Sequence, residues 1–211
     1  AGNWNNGVPT AADHAVINNS NGFNPVLDVD VTVKDLTINN DAVFLVNGHT
    51  VTVNGNLTVT TSNTAGDGLI MTDAADVVVV EGNAVFTTLP SHGAASSGGN
   101  FTDGIMHVRG NFTQVQNGSS GSTGSFLSTG TTVIFDGTAP QSVSFATSGT
   151  GASRFRDLDL ANAAGVAFNT SAVASGTVTI IDGTITSAGG TVTTGDDLID
   201  PVGNRWQVLN T

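Results

Sequence analysis

The chain contains no cysteine. That removes disulfides, thiolate metal sites and cysteine nucleophiles together. Basic residues are almost as scarce: five Lys and Arg stand against 17 Asp and Glu, for a net charge of −12. Lys34 is the only lysine and Glu81 the only glutamate. A surface this acidic repels phosphate backbones and anionic lipid, so neither nucleic acid nor a membrane is an expected partner. Charged residues of both signs make up only 10% of the chain, well below the usual share. Apolar runs are short, as at Val77–Val80, and none reaches the length a membrane-spanning helix needs. No stretch combines helical apolar spacing with good helix formers. The opening Ala1-Gly2-Asn3-Trp4 lacks a signal-peptide pattern and is expected to be a mature terminus left by signal cleavage, though any other boundary would look the same.

Polarity comes instead from Asn, Thr, Ser and Gly, with 27 glycines. These residues suit turns and are poor helix formers. The 38% hydrophobic content is enough for a core. Composition and pattern together predict an all-β chain.

An internal repeat sharpens that expectation. Val51-Thr52-Val53-Asn54-Gly55-Asn56 is matched by Val78-Val79-Val80-Glu81-Gly82-Asn83 and by Met106-His107-Val108-Arg109-Gly110-Asn111. A fourth copy is Val133-Ile134-Phe135-Asp136-Gly137-Thr138. The glycines at 55, 82, 110 and 137 are spaced 27, 28 and 27 residues apart. A near-constant step predicts a right-handed parallel β-helix, a β-solenoid with coils of roughly 27 residues. The two apolar residues of each copy point inward, because strand side chains alternate faces. Gly is expected to turn the chain sharply, often with φ > 0. Asn56, Asn83 and Asn111 are expected to stack at an inner corner, their amides bonding along the axis. Gly55, Asn56, Gly82, Asn83, Gly110, Asn111 and Gly137 are therefore structural positions.

Near the C-terminus Gly176-Thr-Val-Thr, Gly183-Thr-Ile-Thr and Gly190-Thr-Val-Thr recur every seven residues. They read as successive sides of one coil. The Gly/Ser-rich segments His92–Asn100 and Asn117–Ser125 read as loops projecting from the coils. The whole chain, 1–211, reads as one solenoid domain. Residues 1–30 form an N-terminal cap, 31–195 the coils and 196–211 a C-terminal cap, with Trp4 and Trp206 closing the two ends.

The segment Gly2-Asn3-Trp4…Gly7-Val8-Pro9-Thr10…Asp13-His14-Ala15-Val16-Ile17 resembles the opening motif of many secreted bacterial β-solenoid surface proteins. So do Val133-Ile134-Phe135-Asp136-Gly137-Thr138…Gln141-Ser142-Val143 and Phe155-Arg156-Asp157-Leu158-Asp159-Leu160 followed by Gly165-Val166. The resemblance implies a large, repetitive, adhesin-like or filamentous protein, extracellular or on the cell surface. Its motifs specify coils and carry no functional residues with them.

Chemistry has few candidates. Cleavage of a polysaccharide on a parallel β-helix needs clustered carboxylates, or carboxylates with Ca²⁺ and a basic residue. The nearest groups are Asp196-Asp197, Asp157 with Asp159, and Arg154 with Arg156. No catalytic residue and no cofactor is assigned. Asp28 with Asp30, and Asp157 with Asp159, are spaced to share one face of a strand and are weak calcium candidates, as is Asp73 with Asp76. Turn-forming Asp is the plainer reading of all three pairs. His14, His49, His92 and His107 lack metal-ligand spacing. Outward Thr rows suggest ice binding. The alignment opposes it: Thr52 is followed by Val79, His107 and Ile134, and Thr58 by Val85 and Thr113.

The sequence thus points to a non-enzymatic extracellular structural or adhesive module. Its expected partners are copies of itself, end to end or side by side, and glycans or a cell surface. The alternative is a polysaccharide-binding or polysaccharide-cleaving β-helix.

Overall fold

A computed structural model describes residues 8–18, 24–39, 42–61, 66–88, 100–116 and 124–200, and the backbone of 205–207. Among these residues there are 21 strands, β1 to β21 in chain order, and no helix. The first sheet runs β1 (His14–Ile17), β3 (Asp35–Ile38), β6 (Leu57–Thr61), β9 (Ala84–Thr88), β11 (Phe112–Gln116), β13 (Gln141–Phe145), β15 (Val166–Phe168) and β18 (Ile185–Ser187). The second sheet opens with β2 (Val31–Val33), β5 (Thr50–Val53), β8 (Val77–Val80), β10 (Ile105–Val108) and β12 (Thr132–Phe135). It continues through β14 (Asp157–Ala161), β17 (Val178–Asp182), β20 (Asp197–Ile199) and β21 (Arg205–Gln207).

A third face is more broken. It contains β4 (Val43–Leu45) beside β7 (Gly68–Ile70), and β16 (Ala172–Ala174) beside β19 (Val192–Thr194). Single bridges link Val26 to Leu45, Met71 to Phe101, Phe101 to Ser128, Leu127 to Arg154 and Phe155 to Ala174. Each turn of chain visits the second sheet, the first sheet and the third face in that order. Every named strand pair is parallel except β20 with β21. This is a β-solenoid, as the repeat predicts.

The coil length is not constant. Along the second sheet the stacked residues are Val31, Val51, Val78, Met106, Val133, Leu158, Val178 and Leu198, with steps of 20, 27, 28, 27, 25, 20 and 20 residues. The 27-residue coil belongs to the middle of the chain. Both ends use a coil of about 20. The minimal coil is explained by β17, β18 and β19, which begin at Val178, Ile185 and Val192. Three sides of seven residues make one turn, so the three Gly-Thr repeats are indeed its sides. Longer coils add residues mainly between the first sheet and the third face. Most of the Gly/Ser-rich segments read as projecting loops, 92–99 and 117–123, lies outside the described residues. Stacking also extends past 31–195, since β1 and β20 belong to the sheets.

The core follows the same division. The wide central coils enclose Phe86, Phe101, Phe112, Phe126, Phe135 and Phe155, all fully buried. Phe126 packs 4.7 Å from Phe86 and 5.0 Å from Phe112, ring centre to ring centre. Burial of each such ring contributes roughly 2–3 kcal/mol. The narrower terminal coils hold mostly aliphatic residues, among them Ala15, Ile17, Val33, Ala172, Ala174 and Val178. Ring volume and coil circumference rise together.

Candidate functional site

The repeated Gly-Asn pair lies at the corner where the second sheet passes into the first. The Asn83 N–H of one coil is bonded to the side-chain oxygen of Asn56 at 2.9 Å, and the Asn111 N–H to that of Asn83 at 2.9 Å. Asp35 begins the series by accepting the Asn56 N–H at 2.7 Å, and Asn111 continues it by accepting the Ser142 N–H at 2.8 Å. Each side chain thus bonds to the backbone of the next coil. The corner differs from expectation in two ways. Asn56, Asn83 and Asn111 are exposed, on the outside of the bend. The bonds run from backbone to side chain, not amide to amide.

The glycines also have a different cause. Gly55, Gly82, Gly110 and Gly137 do not have positive φ. They stack backbone on backbone: the Gly82 N–H donates to the Gly55 carbonyl at 2.8 Å, and the Gly110 N–H to the Gly82 carbonyl at 2.9 Å. A Cβ at Gly82 would lie 2.5 Å from the Gly55 oxygen, and one at Gly110 or Gly137 closer still to the carbonyl beneath. Close approach, not turn conformation, selects glycine here.

The fourth copy departs from the other three. Ser142, not Thr138, stacks on Asn111, because residues 138–140 extend the corner. Gln141 occupies that corner and is buried. Its amide nitrogen donates to the Val108 carbonyl at 2.8 Å, and its oxygen accepts from the Gly137 N–H at 3.0 Å and from Asn162 at 2.8 Å. One side chain ties three coils. The sequence signal was weak: an insertion ending in Pro140 just before a strand.

The acidic candidates are largely engaged with backbone. Asp28 and Asp30 precede β2 in a bend and do not share a strand face. Asp30 accepts the Thr50 N–H at 2.8 Å and lies 3.5 Å from His49 Nδ1. Asp157 and Asp159 do share the outward face of β14. Asp157 accepts the Thr177 N–H at 2.8 Å. Burial pushes the Asp159 carboxyl above the usual carboxylate range, a hydrogen bond with Thr179 opposes the shift, and the charge of Asp157 adds to it. Strands β5, β8, β10 and β12 separate β2 from β14, so the two pairs do not form one site. Asp76 is fully buried and accepts the N–H groups of Gly48 at 2.5 Å, Thr72 at 2.8 Å and Asp73 at 3.0 Å. Among the described residues, no three His, Asp or Glu side chains converge as a metal-ion group.

The basic side chains also reach across coils. Arg109 pairs with Glu81 of the preceding coil and lies 3.5 Å from Asp136 of the following one. His107 Nδ1 sits 2.9 Å from Asp136, and His14 Nδ1 2.6 Å from Asp35. Arg156 pairs with Asp196 at 3.2 Å, while Arg154 donates to the Thr150 carbonyl at 2.5 Å. His92 lies outside the described residues.

Two apolar cavities occupy the ends of the solenoid. The first, of about 240 Å³, is lined by Ala15, Ile17, Val26, Val33 and Phe44 among others. The second, of about 370 Å³, is lined by Phe168, Val178, Ile185, Val192 and Leu198 among others. Neither contains a cluster of acid–base groups. No protein family, curated protein or solved structure matches this chain.

Proposed function

We propose that the chain is a non-enzymatic structural or adhesive β-solenoid module that works outside the cell. One observation carries this reading. The carboxylates considered for chemistry, like the repeated corner amides, bond to neighbouring coils, as Asp30, Asp76, Asp157, Asn56 and Asn83 do. Such bonds hold the backbone in register and leave few oxygens for a substrate. The Asn/Thr-rich, acidic composition and the resemblance to secreted surface proteins support an extracellular setting. Its contacts are with copies of itself and with a cell surface or its glycans.

The test is a paired screen of acidic and neutral polysaccharides for binding and for cleavage. Binding without turnover agrees with the proposal. Turnover lost in Asp157→Asn or Arg156→Ala would replace it with a polysaccharide-cleaving β-helix.

A further inference from the structure

We infer that the C-terminal end of one copy docks on the N-terminal end of a second copy, strand β18 adding to β1 as the next strand of a shared sheet. The inference deepens the structural reading above and rests on it. It begins with the two end cavities, which lie at opposite ends of one core; Val8 and Pro9 line the first beside Val31 and Val33. Of the residues lining them, Val26 is 52% exposed at the first end and Ile185 36% at the other.

Three features of the ends match. The terminal coils have the same circumference: the steps are 20 and 21 residues at the first end and 20 and 19 at the last. The central coils, at 27 or 28, would not fit either face so well. The order of sides also continues. The last parallel strand, β20, lies in the second sheet, and the first strand, β1, lies in the first sheet, which is where the winding goes next. Third, the inward positions agree. Ile185 and Ser187 stack on Val166 and Phe168 of their own chain. Continued by one strand, the same register places them on Ala15 and Ile17, both buried in the core. Thr186 then meets Val16 on the outside.

Two features oppose docking. Strand β21 runs antiparallel on the edge of β20, in the place that β2 of the next copy needs. It must give way, and so acts as a stop. Both ends also carry exposed carboxylates, Asp28 and Asp30 on one and Asp182 and Asp196 on the other. Association therefore strengthens with added salt.

The absence of cysteine allows a direct test. Val16→Cys and Thr186→Cys are introduced together in the full chain. The two positions are seven strand spacings apart in one molecule, roughly 34 Å, too far for an internal disulfide. In the docked pair they would be adjacent strand neighbours, about 5 Å apart. Mild oxidation is expected to give a ladder of multimers whose disulfides join position 16 of one copy to position 186 of the next on peptide mapping, where either single variant gives dimers only. Trp206→Pro, which removes an N–H from β21, should raise the yield of the ladder several-fold, as should salt. A double variant that yields nothing beyond dimers, or a ladder joined 16 to 16 and 186 to 186, with and without Trp206→Pro, overturns the inference. That failure would leave the non-enzymatic reading intact, and glycan turnover would leave the docking result intact.

Discussion

The side-chain oxygen of Asn83 accepts the backbone N–H of Asn111 at 2.9 Å, across 28 residues of chain. The same atom type does the same work at Asn56 and Asp35. What the corner requires is an oxygen acceptor, not an amide. Asn83→Ala should therefore cost about 1 kcal/mol, the usual net value of one hydrogen bond. Asn83→Asp should cost less, because Asp35 already fills the equivalent place. Urea denaturation of the two variants checks this, and equal losses would show that the amide N–H₂ matters after all.

Gly82 and Gly66 separate two reasons for glycine. Gly82 has ordinary φ but no room for a Cβ, while Gly66 has φ of +92° with nothing within 4 Å of its Cβ position. Gly82→Ala forces two coils apart and should cost about 3 kcal/mol, the upper range for overpacking. Gly66→Ala should cost about 1–2 kcal/mol, the price of left-handed backbone in a residue with a side chain. Thermal midpoints in the two variants should fall in that order.

Much of the coil register can be read from sequence. Thr52, Val79, His107 and Ile134 align through the glycine spacing, and they are neighbours in the second sheet. The three seven-residue Gly-Thr units are three sides of one turn. The terminal coils are harder to read because their corner residues change. Lys34-Asp35 stands where later coils have Gly-Asn, so a search on glycine misses the 20-residue step from Val31 to Val51. Spacing alone could not reveal that Gly82 is selected by a carbonyl beneath it, since that contact crosses coils. Asp28 and Asp30 have the spacing of a strand face, yet the strand begins at Val31. Gln141 is hard to read because its partners, Val108 and Asn162, are distant in sequence and the insertion before it breaks the repeat.

Asp76 is a buried carboxylate with a structural task. Its two oxygens accept three backbone N–H groups from Gly48, Thr72 and Asp73. Asp76→Ala leaves three donors without that acceptor and should cost at least about 3 kcal/mol, since a single buried unsatisfied donor costs about 1–3 kcal/mol. Asp76→Asn keeps one acceptor oxygen and should fall between the variant and the parent. Chemical denaturation at neutral pH measures both.

Calcium offers a check on the same carboxylates. Asp30, Asp76 and Asp157 already accept backbone N–H groups, and Ca²⁺ needs six or more oxygens at about 2.3–2.6 Å. Ca²⁺ in the millimolar range should leave the thermal midpoint where chelator leaves it. A rise with Ca²⁺ that disappears in Asp157→Asn would restore the Asp157–Asp159 pair as a site.

Asp159 should make the fold respond to pH in the opposite sense to most carboxylates. Its folded carboxyl is held above the usual carboxylate range, chiefly by burial beside Ile134 and Thr179 on the outer face of the second sheet. A raised value means that the folded chain binds this proton more tightly than the unfolded chain. Its penalty is absent below the unfolded value, grows as pH rises toward the folded value, and is complete above it. Asp159→Asn should therefore raise stability at pH 7 and lose that advantage in acid below about pH 4, where both side chains are neutral. Denaturation midpoints of parent and variant across pH 3–8 test the sign. An advantage that stayed constant through this range would mean that the asparagine acts by packing or hydrogen bonding, and that the Asp159 charge costs the fold nothing.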